Sequence, residues 1–168
     1  MRLTDYTDYS LRVLLYLALK RDALVTIQEI SDAYGISKNH LMKIVQQLGE
    51  IGWVETIRGR HGGLRIAARS LELSVGEVVR ATENDFALVG CFADDNDGTR
   101  RACVIEPQCR LKHVLDGARA AFLAELDRHT IAEIAQPAAP LAGLLGIIPL
   151  VVEAASAPPP PTPADRRP

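Results

Sequence analysis

The chain has 168 residues, the length of one domain or a small domain with an appended element, and 48% of them are hydrophobic, enough for a real core. Only 5% are aromatic, so the expected packing is aliphatic and helical. Basic and acidic residues nearly balance, 19 against 21; a nucleic-acid role therefore needs a locally basic face, and no apolar run approaches the ~20 residues of a membrane span.

A first helix is predicted from about Asp5 to Lys20, with Thr4 as its cap and Leu11, Leu14, Leu15, Ala18 and Leu19 at helical spacing. Asp8 and Arg12 stand four apart on it, an arrangement that by itself reads as a surface ion pair worth about 0.3–0.5 kcal/mol. The opening residues are acidic where an export signal is basic, so the expected setting is a reducing cytoplasm.

Thr26-Ile27-Gln28-Glu29 is a capping box, in which hydroxyl and carboxylate each take the other's backbone amide. It opens a short helix that Gly35 ends. Ser37 then caps a second helix running to about Leu48, and two short helices joined by a glycine-containing turn form the helix-turn-helix pattern. Leu41, Ile44, Val45 and Leu48 make an inward stripe on the second helix. Lys38, Asn39, His40, Lys43, Gln46 and Gln47 face out, and such amides and cations bond to base edges and phosphates. Gly52–Ile57 and Leu64–Ala67 read as strands around the turn Arg58-Gly59-Arg60-His61-Gly62-Gly63, a wing whose glycines let the backbone approach a phosphate or a minor groove. From Lys38 to Arg69 six lysines or arginines, Arg65 among them, face two acids, Glu50 and Glu55. This is the basic face that the overall charge conceals. The glycine-rich tip lacks the Gly-Lys-Ser/Thr ending of a nucleotide-phosphate loop.

Ser74-Val75-Gly76-Glu77 opens another short helix, to about Glu83. All three cysteines follow, Cys91, Cys103 and Cys109, in one polar stretch. An odd number of clustered thiols in a reducing compartment points to an iron–sulfur cluster, a zinc site with His113 as fourth ligand, or a thiol redox switch. The acidic turn Asp94–Gly98 does not match a calcium loop, since Ala93 occupies its first ligand position. After Cys109 a long helix is predicted to about His129, with Leu111, Val114, Leu115, Ala118, Phe122 and Leu126 as a narrow apolar seam suited to dimerisation. Thr130-Ile131-Ala132-Glu133 starts a further short helix. Nine of the ten prolines lie from Pro137 onward, and Ala157–Pro168 should be disordered or polyproline-like. The apolar run Leu141–Val152 is broken by Pro149 and is too short to span a membrane. No nucleophile–base constellation is visible, so the chain is not expected to be an enzyme.

Several blocks carry a resemblance: Met1-Arg2-Leu3-Thr4 with Tyr6-Thr7-Asp8-Tyr9, Ser37-Lys38-Asn39-His40-Leu41-Met42-Lys43, Arg58-Gly59-Arg60-His61-Gly62-Gly63-Leu64-Arg65, Val78–Glu83, and Cys103 and Cys109 followed by Arg110-Leu111. Over residues 1 to 136 the chain resembles the iron–sulfur winged-helix repressors that include IscR, and within them the nitric-oxide-sensing branch, NsrR. The resemblance implies a mainly α fold: a winged helix-turn-helix with a two-stranded wing and a long C-terminal dimerisation helix. It divides the chain into a DNA-binding domain over 1–70 and a cluster-binding loop and dimerisation helix over 71–136; the Pro/Ala-rich tail over 137–168, expected from its composition to be largely disordered, lies outside it. It also implies a homodimer in which Cys91, Cys103 and Cys109 bind one cluster per subunit, 4Fe–4S in this branch. Asp8 of the partner subunit matches the fourth ligand, with Arg12 behind it. His113 is the rival ligand in an IscR-like or iron-responsive 2Fe–2S reading, although it stands four residues after the third cysteine instead of three. The gap between Cys91 and Cys103 is longer than usual for the family. On this resemblance the loaded dimer binds palindromic operator DNA through Ser37, Lys38, Asn39, His40, Lys43, Gln46, Arg58, Arg60, His61 and Arg65, and nitrosylation of the cluster releases it.

Overall fold

The computed structural model describes residues 2–92 and 103–147. The first helix, α1 (Asp5–Leu19), is capped by Thr4, whose hydroxyl accepts from the Thr7 amide at 3.3 Å. Its buried residues are Thr7, Ser10, Val13, Leu14, Tyr16, Leu17 and Ala18, while Leu11, Leu15 and Leu19 are only partly buried. The leucine stripe read from sequence is therefore rotated by about one position. Two hydroxyls disguise the true face, and both are satisfied locally. Ser10 Oγ donates to the Tyr6 carbonyl at 2.7 Å, and the Thr7 and Thr4 hydroxyls share a bond at 3.1 Å. A buried hydroxyl with a partner costs little.

Helix α2 (Ile27–Tyr34) opens with the expected capping box: Glu29 N–H donates to Thr26 Oγ1 and Thr26 N–H to Glu29 Oε1, each at 3.2 Å. Gly35 ends it at φ 65°, a conformation that L side chains rarely adopt. Helix α3 (Lys38–Glu50) follows, with Ser37 in the cap position but making no side-chain cap bond. Leu41, Ile44, Val45 and Leu48 are its buried residues, as the periodicity predicts. Strands β1 (Val54–Ile57) and β2 (Gly63–Ile66) pair antiparallel, Val54 opposite Ile66 and Glu55 opposite Arg65. Strand β1 starts two residues later than the sequence pattern suggests, and β2 keeps the expected length but lies one residue nearer the turn. Leu64 also exchanges two backbone bonds with Val25, at 2.7 and 2.9 Å, which fastens the wing to the segment before α2.

The remaining helices are α4 (Val75–Thr82), α5 (Arg110–Asp127), α6 (Ile131–Ile134) and α7 (Ala138–Leu144). Capping boxes at Ser74/Glu77 and Thr130/Glu133 start α4 and α6. Pro140 falls in the first turn of α7, where a missing N–H costs nothing. Ala142, Leu145 and Ile147 pack on the core, so the folded body runs past position 137. Helix α1 packs against α3, α4, α6 and β2, and α4 packs against α5. Arg80 and Asp127 join α4 to α5 through two parallel N–H···O bonds, one of them 2.6 Å. Around α1 lies one aliphatic core, including Val13, Leu14, Leu17, Val25, Ile30, Leu41, Leu48, Val78 and Ile131. By contrast, α5 has no buried residue along its length. The acidic turn Asp94–Gly98 and the Pro-rich segment Ala157–Pro168 lie outside the described residues.

Candidate nucleic-acid interface and metal-ligand loop

The outward side of α3 is polar along its length. Lys38, Asn39, His40, Lys43, Gln46 and Gln47 are all exposed, as is Ser37 before them. Gln46 Nε2 donates to Glu50 at 3.0 Å, and the His40 ring stacks on Tyr9 of α1 with centroids 6.4 Å apart. A groove of about 310 Å³ between the two helices is lined by Asp5, Tyr6, Tyr9, His40, Lys43, Ile44 and Gln47. The reading helix thus meets the helix that carries Asp8 directly, a contact that sequence spacing does not reveal.

At the wing tip Arg58, Arg60 and His61 are exposed. A side chain at Gly62 would collide with the Ile57 carbonyl, so the tight turn requires glycine there. Arg65 is half-exposed and donates to Glu55 across the ladder at 2.6 Å. Arg69, which the sequence count included in the basic face, instead donates to the carbonyls of Ile51 at 2.9 Å and Gly52 at 3.1 Å and closes the end of α3. The basic face therefore narrows: Lys38, Lys43, Arg58 and Arg60 have no acidic partner among the described residues. Cations held by no local carboxylate are available to phosphates.

Asp8 is half-exposed on the first part of α1, and Arg12 Nε donates to both its oxygens, at 3.0 and 2.9 Å. The same guanidinium lies 5.6 Å from the centroid of the Tyr34 ring, within cation–π range. Asp8, Arg12 and the last residue of α2 are thereby linked in one short chain of contacts. A second strap lies at the cap of α1, where both the amide and the hydroxyl of Thr4 donate to Glu83, at 2.7 and 3.1 Å. That bond ties the start of α1 to the segment leading into the first cysteine.

Cys91 lies in a 3-10 turn, Gly90–Phe92, and is half-buried; Cys103 is exposed; Cys109 is half-buried and directly precedes α5. All three are free thiols. Cys109 holds the cap position of α5 with no side-chain cap bond, and the positive end of the helix dipole there complements an anionic ligand. His113 is exposed on α5. Among the described residues no three His, Cys, Asp or Glu side chains converge on one metal position. In a single chain the thiols, Asp8 and His113 are thus separate donors. The three thiols suit iron–sulfur clusters or zinc, whose ligands are thiolates, and the Asp8 carboxylate or the His113 imidazole is a harder donor that can complete such a set. Large apolar side chains stand uncovered beside them: Val104, Ile105, Leu111 and Val114 are each more than half exposed.

A helix-turn-helix with a basic two-stranded wing defines a winged-helix DNA-binding protein. The Rrf2 family model, described as an iron-dependent transcriptional regulator, matches residues 3–137. The chain is 52% identical over 135 residues to the HTH-type transcriptional regulator NsrR of Bacillus licheniformis, covering 80% of this chain and 92% of that one. It is 51% identical over 137 residues to the NsrR of Bacillus subtilis, covering 81% and 91%. Among solved structures, a transcriptional regulator from Listeria innocua superposes with a TM-score of 0.66 at 24% identity, over 82% of this chain and 88% of that one. The T. potens IscR does so with a TM-score of 0.63 at 20% identity, over 84% and 90%. The chain belongs to the Rrf2 family of transcriptional regulators, and its sequence is similar to that of the NsrR proteins.

Proposed function

We propose that this protein is a nitric-oxide-responsive repressor that acts as a homodimer on palindromic operator DNA. The observation that carries the reading is the placement of α1: Asp8 is half-exposed on it, and the next residue, Tyr9, stacks on His40 of the reading helix. An event at Asp8 therefore acts one residue away from the DNA-reading surface. The names of the relatives at about half identity, and the iron dependence of the family, support the same reading.

In this account the apolar side chains exposed on α5 pair two copies of the chain. Cys91, Cys103 and Cys109 would hold an iron–sulfur cluster, 4Fe–4S, and Asp8 of the partner subunit would complete its ligand set. When bound, that cluster supplies irons open to nitric oxide, most of all at the position with an oxygen ligand. Arg12, whose Nε donates to both oxygens of Asp8, would orient that carboxylate as a ligand. Lys38, Lys43, Arg58 and Arg60 bind phosphates, and Ser37, Asn39, His40 and Gln46 face the bases, with His61 and Arg65 on the wing. Dimeric helix-turn-helix proteins read half-sites ~34–36 Å apart, so a small rotation of α1 and α3 breaks the register. Asp8→Ala tests the cross-subunit tie. The expected result is faster cluster loss and weaker coupling of operator release to nitric oxide. Unchanged cluster lifetime together with unchanged nitric-oxide-sensitive binding would refute the role of Asp8.

A further inference from the structure

Met42 stands out on the reading face. It is 46% exposed in the middle of α3, on a helix whose other large apolar side chains, Leu41, Ile44, Val45 and Leu48, are buried. Its neighbours one turn away are Lys38 and Asn39 on one side and Gln46 on the other, with Lys43 beside it, all exposed. A core helix gains nothing from leaving an apolar residue there, and water around it is a cost. Set among cations and amides suited to phosphates and base edges, one flexible apolar side chain matches the one apolar feature of the major groove, the C5-methyl group of thymine.

We propose that Met42 is a specificity-determining residue that packs on a thymine methyl in each half-site of the operator. The inference rests on the DNA-reading role of α3 proposed above and names what part of that helix distinguishes. Lys38 and Lys43 flank the contact and anchor the helix on the backbone, so they set affinity without reading sequence. Met42 supplies discrimination between thymine and a base lacking the methyl group. Because the side chain lies outside the core, shortening it leaves the fold intact.

The test uses the full chain, purified anaerobically, and a duplex that it selects from a random-sequence pool. Each thymine is replaced in both half-sites by deoxyuridine, which removes only the methyl group. Burying one methyl per half-site predicts about a fourfold loss of affinity per half-site, or about 15-fold for the doubly substituted duplex, at one thymine position. Met42→Ala should bind the thymine duplex more weakly and lose this discrimination, and Met42→Leu should retain most of it. If no thymine position affects the wild-type protein, or if Met42→Ala discriminates as well as wild type, the assignment is overturned while sequence-selective binding stands. If the pool yields no preferred duplex at all, the DNA-reading role of α3 falls as well.

Discussion

Tyr34 closes α2 with its ring under the Arg12 guanidinium and edge-on to Tyr16, and its hydroxyl is buried without a hydrogen-bond partner. Burial pushes that hydroxyl up to about 12 against the opposing pull of Arg12. Because the folded pKa lies above the unfolded value near 10, the fold keeps this proton longer than the unfolded chain does, so stability is level in pH below 10 and falls as pH rises towards 12. Tyr34→Phe keeps the ring beneath Arg12 and removes the orphaned hydroxyl. It should raise stability by about 1 kcal/mol, at the low end of the cost of a buried unpaired polar group. It should also flatten the fall in stability between pH 10 and 12, with urea midpoints measured across that range as the check. The Asp8–Arg12 pair is half-exposed and four residues apart in one helix. Asp8→Ala should therefore cost the metal-free protein no more than about 0.5 kcal/mol. Equilibrium unfolding of the metal-free variant separates this small structural effect from any larger change in cluster lifetime.

Among the elements, the three capping boxes and the inward stripe of α3 were legible because their signals lie within four residues of one another. Thr26/Glu29, Ser74/Glu77 and Thr130/Glu133 all form as read. The face of α1 was misread because Thr7 and Ser10, polar by type, are buried in it, a choice made by packing against α3, α4, α6 and β2. The roles of Arg65 and Arg69 were equally hidden, since Glu55 meets the first only across the paired strands and the second reaches back to Ile51 and Gly52. The free cations that remain make a measurable claim about α3. Lys43→Ala should weaken binding to all sequences alike and reduce the slope of log affinity against log salt by about 1, as loss of one phosphate contact requires. Fluorescence anisotropy at several salt concentrations reads this slope. The wing makes a second claim: because a methyl group at Gly62 meets the Ile57 carbonyl, Gly62→Ala should cost about 1–3 kcal/mol by overpacking and lower operator affinity.

At the scale of the whole molecule, the fold is built around α1, which touches the reading helix, the wing and α4, while α5 packs on α4 with no residue of its own buried. The sequence marks each ligand candidate, but a site of the proposed kind, assembled from two copies, would leave no periodic trace in one chain. Cys91, Cys103 and Cys109 stand out by their clustering in one polar stretch, whereas Asp8, more than eighty residues away, is named only by the resemblance. The exposed Leu111 and Val114 on α5 are the counterpart of that gap in the account. Leu111→Lys combined with Val114→Lys should shift the protein to monomer in sedimentation velocity and abolish binding to palindromic DNA. The most direct measurement of the central claim is an operator gel shift with anaerobically purified protein, recorded with its visible spectrum, before and after stoichiometric nitric oxide. The protein is expected to be brown, to bind the operator and to release it as the cluster absorption is lost. A colourless protein that binds equally well with and without nitric oxide would contradict that claim.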